Sequence, residues 1–435
     1  MPSSPYTAVA LEGWTEPAAL FVGWIARHPH VFWLDAGSGA TDGWSWLGIG
    51  EPADEQQVRA VMVGARTQQV DACGPFRGGW VGWAAYEAGA GALGAPTAPD
   101  ADGPGSVWLR VQRIVAVDHA ARRLWAIGVP GDTEWAEEVR RAQASVVPPV
   151  VADAPDVGVA RVRHAPGEYA DLIARCREAI RDGDAYQLCL TTRFSVSGEI
   201  DPVDAYLRLR RLTPSHHGGI IRSGAHALLS ASPERFVECA DGIVRTRPIK
   251  GTRPRSDDPA EDAALAQELQ GHPKERAENV MIVDLMRNDL SRVSVPGSIR
   301  ADRLLEVESY AAVHQLVSTV AGTLTAHATV GDVLDAAFPA GSMTGAPKLS
   351  AMTILHRLER GPRGVFAGCF GYVGANGRID LAMVIRSIVV HDDGAYVGAG
   401  GGITWGSEPA AEVAEVGVKA RAPLAALGAV LPEGW

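Results

Sequence analysis

Lys250 stands in the run Arg247-Pro248-Ile249-Lys250-Gly251-Thr252-Arg253-Pro254. A lysine becomes a nucleophile when desolvation or neighbouring cations lower its pKa. Arg245, Arg247, Arg253 and Arg255 are all near it in sequence, so the run has the composition of an activated amine. A basic surface strand and turn would look the same locally. Two pairs of carboxylates also stand out. Glu275 and Glu278 are three apart in one helical stretch, and Glu412 and Glu415 three apart in another. Residues at i and i+3 share a helix face, so each pair projects one way. Two such faces meeting across a cleft suit Mg²⁺, which takes a few carboxylates and keeps several waters. Taken singly, each pair also has ordinary salt-bridge surroundings. Lys274 and Arg276 flank the first, and Lys419 lies four after Glu415.

These side chains need a frame. Strand-like runs with Gly-rich turns fill the N-terminal portion, among them Val31–Leu34, Gly79–Trp83 and Val107–Val111. Residues 85–105 read as a long Ala/Gly/Pro loop, and Val146–Pro155 as a boundary. Regions 1–150 and 160–430 follow from it. Beyond it, apolar spacings of three and four, ending at Gly183, predict a helix over Glu168–Arg181, and Pro259–Leu269, Pro273–Leu290, Ala346–Leu358 and Pro409–Ala426 also read as helices. Strands are expected over 185–196, 227–238, 243–250, 364–372, 379–390 and 395–399, with Asp241-Gly242 as a hairpin turn. Runs of strands with helices between them indicate α+β rather than βαβ winding.

The 435 residues suffice for one very large core or two to three ordinary domains. An apolar fraction of 46% and a charged fraction of 21% are those of a globular protein. A net charge of −11 argues against a nucleic-acid partner. Met1–Pro5 carries no basic region, and no apolar run is long enough for a membrane span. Cys73, Cys176, Cys189, Cys239 and Cys369 are scattered without a CxxC pair, which fits a reducing cytoplasm.

Over residues 165–427 the chain resembles the chorismate-utilising enzymes. The resemblance rests on ordered motifs. These are Asp184–Phe194, Ser232-Pro-Glu-Arg-Phe236, Pro248–Pro254, Glu278–Leu290, Phe338–Lys348, Gly400-Gly-Gly-Ile403 and Glu412-Val-Ala-Glu415. A weaker likeness covers Gly78–Glu87. The resemblance implies two large, mainly antiparallel sheets packed face to face with helices outside. It also implies that the boundary near 150 is nominal, the N-terminal strands joining the same sheets.

Roles follow by the same resemblance. Glu278 and Glu415 match the Mg²⁺ ligands, with Glu275 and Glu412 acting in support. Glu234 matches an acid that protonates the departing C4 hydroxyl. Arg386 matches the holder of the enolpyruvyl carboxylate. Lys419, Thr252, Ser342, Thr344, Gly345 and the amides of Gly401 and Gly402 match further substrate contacts. Water-using branches carry lysine where this chain has Gln187, and amide nitrogen cannot take a proton. Anthranilate synthases typically carry alanine where this chain has Lys250, whereas the branch that aminates C4 uses lysine there as covalent nucleophile. Both positions favour that branch, leading from chorismate to 4-amino-4-deoxychorismate and on toward p-aminobenzoate and folate. No Cys-His-Glu amidotransferase module is read in the sequence, so free ammonia or a separate glutaminase subunit would supply nitrogen.

Departures temper these expectations. Gln315 stands where many relatives have histidine, Phe366 where tyrosine is common, Gly406 where aspartate is usual and Cys189 where asparagine is usual. Near Leu34-Asp35-Ala36 the serine motif of tryptophan-inhibited relatives is missing. Two rivals remain: an anthranilate synthase large subunit, and a chorismate-binding regulator without catalysis.

Overall fold

The computed structural model describes residues 6–64, 72–101, 103, 105–310 and 313–435. The opening Met1–Pro5, and residues 102 and 104 of the expected loop, lie outside the described residues.

Twenty strands join in one hydrogen-bonded network whose pairs are all antiparallel. From Gln187–Ser197 it runs through Gly394–Ile403, Ser387–His391, His226–Ser232, His217–Ser223, His30–Asp35 and Trp44–Ala53 to Val107–Asp118. There it continues through Gly79–Ala84, Cys369–Gly374, Ile379–Met383, Arg235–Ala240 and Ile243–Thr246 to Val313–Thr323. Ile249–Pro254 and Arg300–Ser309 flank that last strand. The antiparallel sheets expected of an α+β fold are therefore present, and Val107–Asp118 stitches the two halves together. They curl onto each other, so that Trp46 of one half meets Tyr372 of the other with ring centroids 5.4 Å apart.

Strand periodicity sorts the side chains into two cores. Phe32 and Leu34 enter one, while Val31 and Trp33 enter the other. Ile221 and Leu228 repeat this against Ile220 and Leu229. The second core is roofed by helices that contribute Phe21, Trp135, Tyr169, Tyr206, Leu355 and Val416. Fully burying each such side chain contributes about 1.5–3 kcal/mol. Helix Pro273–Ser291 closes the first core with Ile282, Met286 and Leu290. No helix among the described residues is long and apolar enough to cross a membrane.

Prolines and turn geometry correct several expected spans. The strand expected over 227–238 is two, His226–Ser232 and Arg235–Ala240, because Pro233 offers no N–H to the ladder. Pro248 likewise separates Ile243–Thr246 from Ile249–Pro254. The helix expected from Ala346 starts at Lys348, after a residue preceding proline that is steered out of helical geometry. The strand expected from Gly364 starts at Cys369. That expected over 379–390 breaks at Arg386, whose φ is +52°. The loop 85–105 contains a short helix, Tyr86–Ala92.

Candidate active site

Lys250 owes its direction to a bulge. Ile249 pairs with Val317 and Thr252 with Gln315, so the Lys250 strand carries one residue more than its partner. Gly251 takes φ +82°, a left-handed conformation that a side chain would strain. A Cβ there would also stand 2.8 Å from Leu269 Cδ1 and 3.0 Å from Glu275 Oε2. The neighbouring arginines do not crowd the amine as expected. Arg247 bonds Glu308, Arg253 Nε donates to Glu268 at 2.6 Å, and Arg255 Nε to Asp262 at 2.8 Å. Arg245 sits opposite Glu238 in its hairpin. The charges that act with Lys250 are instead the carboxylates of Glu234, Glu278 and Glu415.

Gln187 opens the strand Gln187–Ser197 and is 1% exposed, with neither side-chain oxygen nor nitrogen bonded within the protein. Such a buried amide calls for a partner. A Cβ on Gly402 would lie 2.8 Å from Gln187 Nε2 and 3.4 Å from Lys250 Nζ. Gly402 thus clears the point where the amide and the amine converge.

Backbone parity decides which glycine amides are available. Lys419 Nζ donates to the Gly400 carbonyl at 2.8 Å, and the Cys189 N–H donates to the Thr344 carbonyl at 2.9 Å. Both backbones therefore turn away from the ladder joining their two strands. Residues alternate in an antiparallel ladder, so Leu190 and Gly401 make the hydrogen-bonded pair. The Gly402 amide, with that of Gly400, faces the open edge. The expected use of Gly401 is corrected accordingly: its amide is spent inside the sheet.

Glu234 lies just after Pro233, in the gap between two strands. Burial pushes its carboxyl up to about 7, against the downward pull of Lys250, a hydrogen bond from Ser342 and Lys419. Ser342 Oγ donates to Glu234 Oε1 at 3.2 Å. Thr344 does not share this task. Its hydroxyl donates to the carbonyls of Ala340 and Gly341 and its amide to Gly341, so the turn consumes both. Gly345 is needed for space, since a Cβ there would fall 2.1 Å from the Gln187 carbonyl oxygen. Thr252 is exposed, paired across the sheet with Gln315.

The two acidic pairs behave differently. Asn279 anchors its helix by donating to the Leu316 carbonyl at 3.3 Å, which turns Glu278 toward Lys250. Burial raises Glu278, although Lys250 and Lys274 pull it down, and Glu275 and Glu412 raise it further. Burial also raises Glu412, despite a bond to Ser407, and Glu415 adds to that rise. For Glu415 burial acts upward too, but Lys419, bonded at 2.6 Å, together with Lys250 and Lys274 holds it below the usual range. Glu275 turns partly aside, 3.8 Å from Arg253. Among the described residues no three His, Cys, Asp or Glu side chains stand close enough together to hold a metal by themselves. Arg386 is lowered by burial, with Glu415 opposing, and holds a left-handed backbone that an arginine adopts only at a cost.

His314 points away from Gln315, to Asp262 at 2.9 Å, as strand alternation expects. Sequence reasoning missed Ser407, which bonds Glu412 just ahead of the last helix, and read Lys274 only as a salt-bridge neighbour, the role it keeps 3.8 Å from Glu278. It also missed the buried pair Glu359–Arg363, for which an i, i+4 spacing of opposite charges was the available signal. A separate cavity of about 650 Å³, between the sheet halves, is lined by Leu34, Trp46, His217, Arg247, Phe370 and Tyr372.

Residues 27–425 match the family described as chorismate binding enzyme. The chain is 41% identical over 367 residues to an aminodeoxychorismate synthase of Streptomyces pristinaespiralis, covering 81% of this chain and 51% of that protein. It thus spans about half the length of that relative. It is also 41% identical to an anthranilate synthase component 1 of Streptomyces coelicolor, over 81% of this chain and 73% of the other. Its fold matches the crystal structure of anthranilate synthase component I from Streptococcus pneumoniae with a TM-score of 0.73 and 28% identity, over 97% of this chain and 92% of that one. A half-buried acid, a lysine aimed by a bulge and paired helix carboxylates thus converge in a chain that belongs to the chorismate binding enzyme family.

Proposed function

We propose that the chain aminates chorismate to 4-amino-4-deoxychorismate, toward p-aminobenzoate. One observation carries this reading: Lys250 Nζ and the unbonded Gln187 amide converge over Gly402. An amide there can orient ammonia but cannot deprotonate water. Relatives of equal identity carry aminodeoxychorismate and anthranilate synthase names, so names alone do not choose. Lysine at position 250 favours the first.

Lys250, as free amine, attacks C2 of the ring. The ring double bond shifts, and the C4 hydroxyl leaves as water with the proton of Glu234. Ammonia then adds at C4, the double bonds return, Lys250 is expelled as free amine, and the surplus proton on the new C4 nitrogen returns to Glu234. Chorismate and ammonia thereby give 4-amino-4-deoxychorismate and water. Arg386 suits the enolpyruvyl carboxylate as a fork-shaped donor. Lys419 and the Gly402 amide add donors beside the ring carboxylate.

The charge surplus on Glu278 and Glu412, both raised by burial and by neighbouring carboxylates, fits a divalent cation. Glu278 and Glu415 would hold Mg²⁺, completed by substrate oxygens and water, with Glu412 and Glu275 in support. When bound, the ion would draw electron density toward the ring carboxylate. Ammonia would come from a separate glutaminase subunit, as the name component 1 of one relative suggests. Buried cysteines scattered without a CxxC pair fit a cytoplasmic setting.

Incubation with chorismate, Mg²⁺ and ammonium, followed by mass identification of the product, tests the reading. Aminodeoxychorismate is expected. Fluorescent anthranilate as the main product would instead establish the anthranilate branch.

A further inference from the structure

Arg363 and Glu359 are the most deeply buried ion pair near the site, with side chains 1% and 3% exposed. Such a pair gains little net stability, since desolvating both charges offsets their attraction. The contacts of Arg363 explain its presence better. Its Nε and Nη2 donate to Glu359 at 2.9 and 2.7 Å. Its Nη2 also donates to the Cys189 carbonyl at 2.8 Å, and Nη1 to the Met343 carbonyl at 2.6 Å. Glu359 Oε1 in turn accepts the Thr191 N–H at 2.9 Å. Glu87 fixes the backbone beneath, accepting the N–H groups of Arg363 and Gly364 at 2.7 and 2.9 Å. The Arg363 guanidinium also lies 4.4 Å over the Tyr86 ring.

The two carbonyls belong to opposite sides of the site. Cys189 is two residues from Gln187, on the same strand face. Met343 adjoins Ser342, whose hydroxyl holds Glu234. Pairing of Gly345–Ala346 with Gln187–Leu188, and the Cys189 N–H to the Thr344 carbonyl at 2.9 Å, join these segments but leave the Met343 and Cys189 carbonyls to Arg363. Two carbonyls cannot bond each other, so a donor must lie between them. We propose that Arg363 is a positioning residue: its guanidinium fork sets the separation between the strand carrying Gln187 and the turn carrying Ser342, and through Ser342 the orientation of Glu234. This rests on the amination reading for what Gln187 and Glu234 do.

Arg363→Lys keeps the charge opposite Glu359 but cannot span both carbonyls. Misplacing reacting groups by about an ångström costs up to about 100-fold. Turnover should fall about 10–100-fold, with KM for chorismate within about threefold. The second readout is the pH dependence of kcat. Lys250, Lys419 and Ser342 face Glu234, and the Ser342 bond, with the two lysines, pulls its pKa down against burial. Loosening that bond should move the basic limb to higher pH, and Ser342→Ala should move it the same way. The wild-type product assay tests the amination reading separately. If R363K melts lower yet keeps wild-type turnover and limb, the pair is structural only and the proposal fails. Lower turnover with an unmoved limb also overturns it. Should R363K not fold, Glu87→Gln, which loosens only the backbone beneath Arg363, is judged by the same two readouts.

Discussion

At the scale of single residues, the proposed amination divides its chemistry among Lys250, Gln187 and Glu234. Chorismate and Mg²⁺ without ammonia should leave a stalled adduct, seen by intact mass as the protein plus dehydrated chorismate and mapped to Lys250. Lys250→Ala should remove the adduct and cut turnover by about 10²–10⁶. Wild-type aminodeoxychorismate synthesis by that variant would sink the covalent route. Gln187→Lys places a base at the convergence point, so a hydroxylated product should appear at low ammonium. Absence of any such product would remove Gln187 from nucleophile selection. On the same proposal, Glu234 should set the pH dependence. As an acid raised to about 7 it carries its proton below that pH, so kcat should decline as pH rises through about 7. A basic limb still centred there in Glu234→Gln would assign the titration to another group. The motifs single out all three as candidates. They do not show the neighbours of Lys250, because its arginines turn to partners 7–61 residues away along the chain.

Elements aim these residues, and the bulge at Lys250-Gly251 is the sharpest instance. Gly251→Ala combines a strained φ with contacts under 3.1 Å to Leu269 and Glu275. It should cost about 1–3 kcal/mol of stability, read by thermal melting, and lower turnover further by re-aiming the lysine. Full activity with an unchanged melt would show that the bulge does not direct Lys250. Helices at 166–181, 259–271, 273–291 and 409–427 lie within two residues of their expected spans, the first starting two residues earlier at Pro166. The bulge was not expected, since an extra residue on one strand shows only against its partner. The same holds for the Gly400–Gly402 edge. A run of glycines does not say which amide is free; that depends on which carbonyl Lys419 takes.

For the whole molecule the consequence is interdependence. His30–Asp35 pairs with His217–Ser223, and Gly79–Ala84 with Cys369–Gly374, so strands from before residue 150 lie between later ones. A fragment of residues 160–430 should lack a cooperative melt and bind no chorismate, as judged by calorimetry. A folded, chorismate-binding fragment would contradict this. Runs of strands with helices between them indicate the α+β class, but the stitch through Val107–Asp118 depends on pairings between residues far apart in the chain, which no local pattern encodes.

All five cysteines are buried, and burial raises the thiols of Cys176, Cys189, Cys239 and Cys369. Thiolate is the form that maleimides attack. The native chain is consequently a quiet background for site-directed labelling. A single cysteine introduced at Val150, which is 91% exposed, should take up one fluorophore per chain. That gives an optical handle for following ligand and partner binding without first stripping the protein of its own thiols.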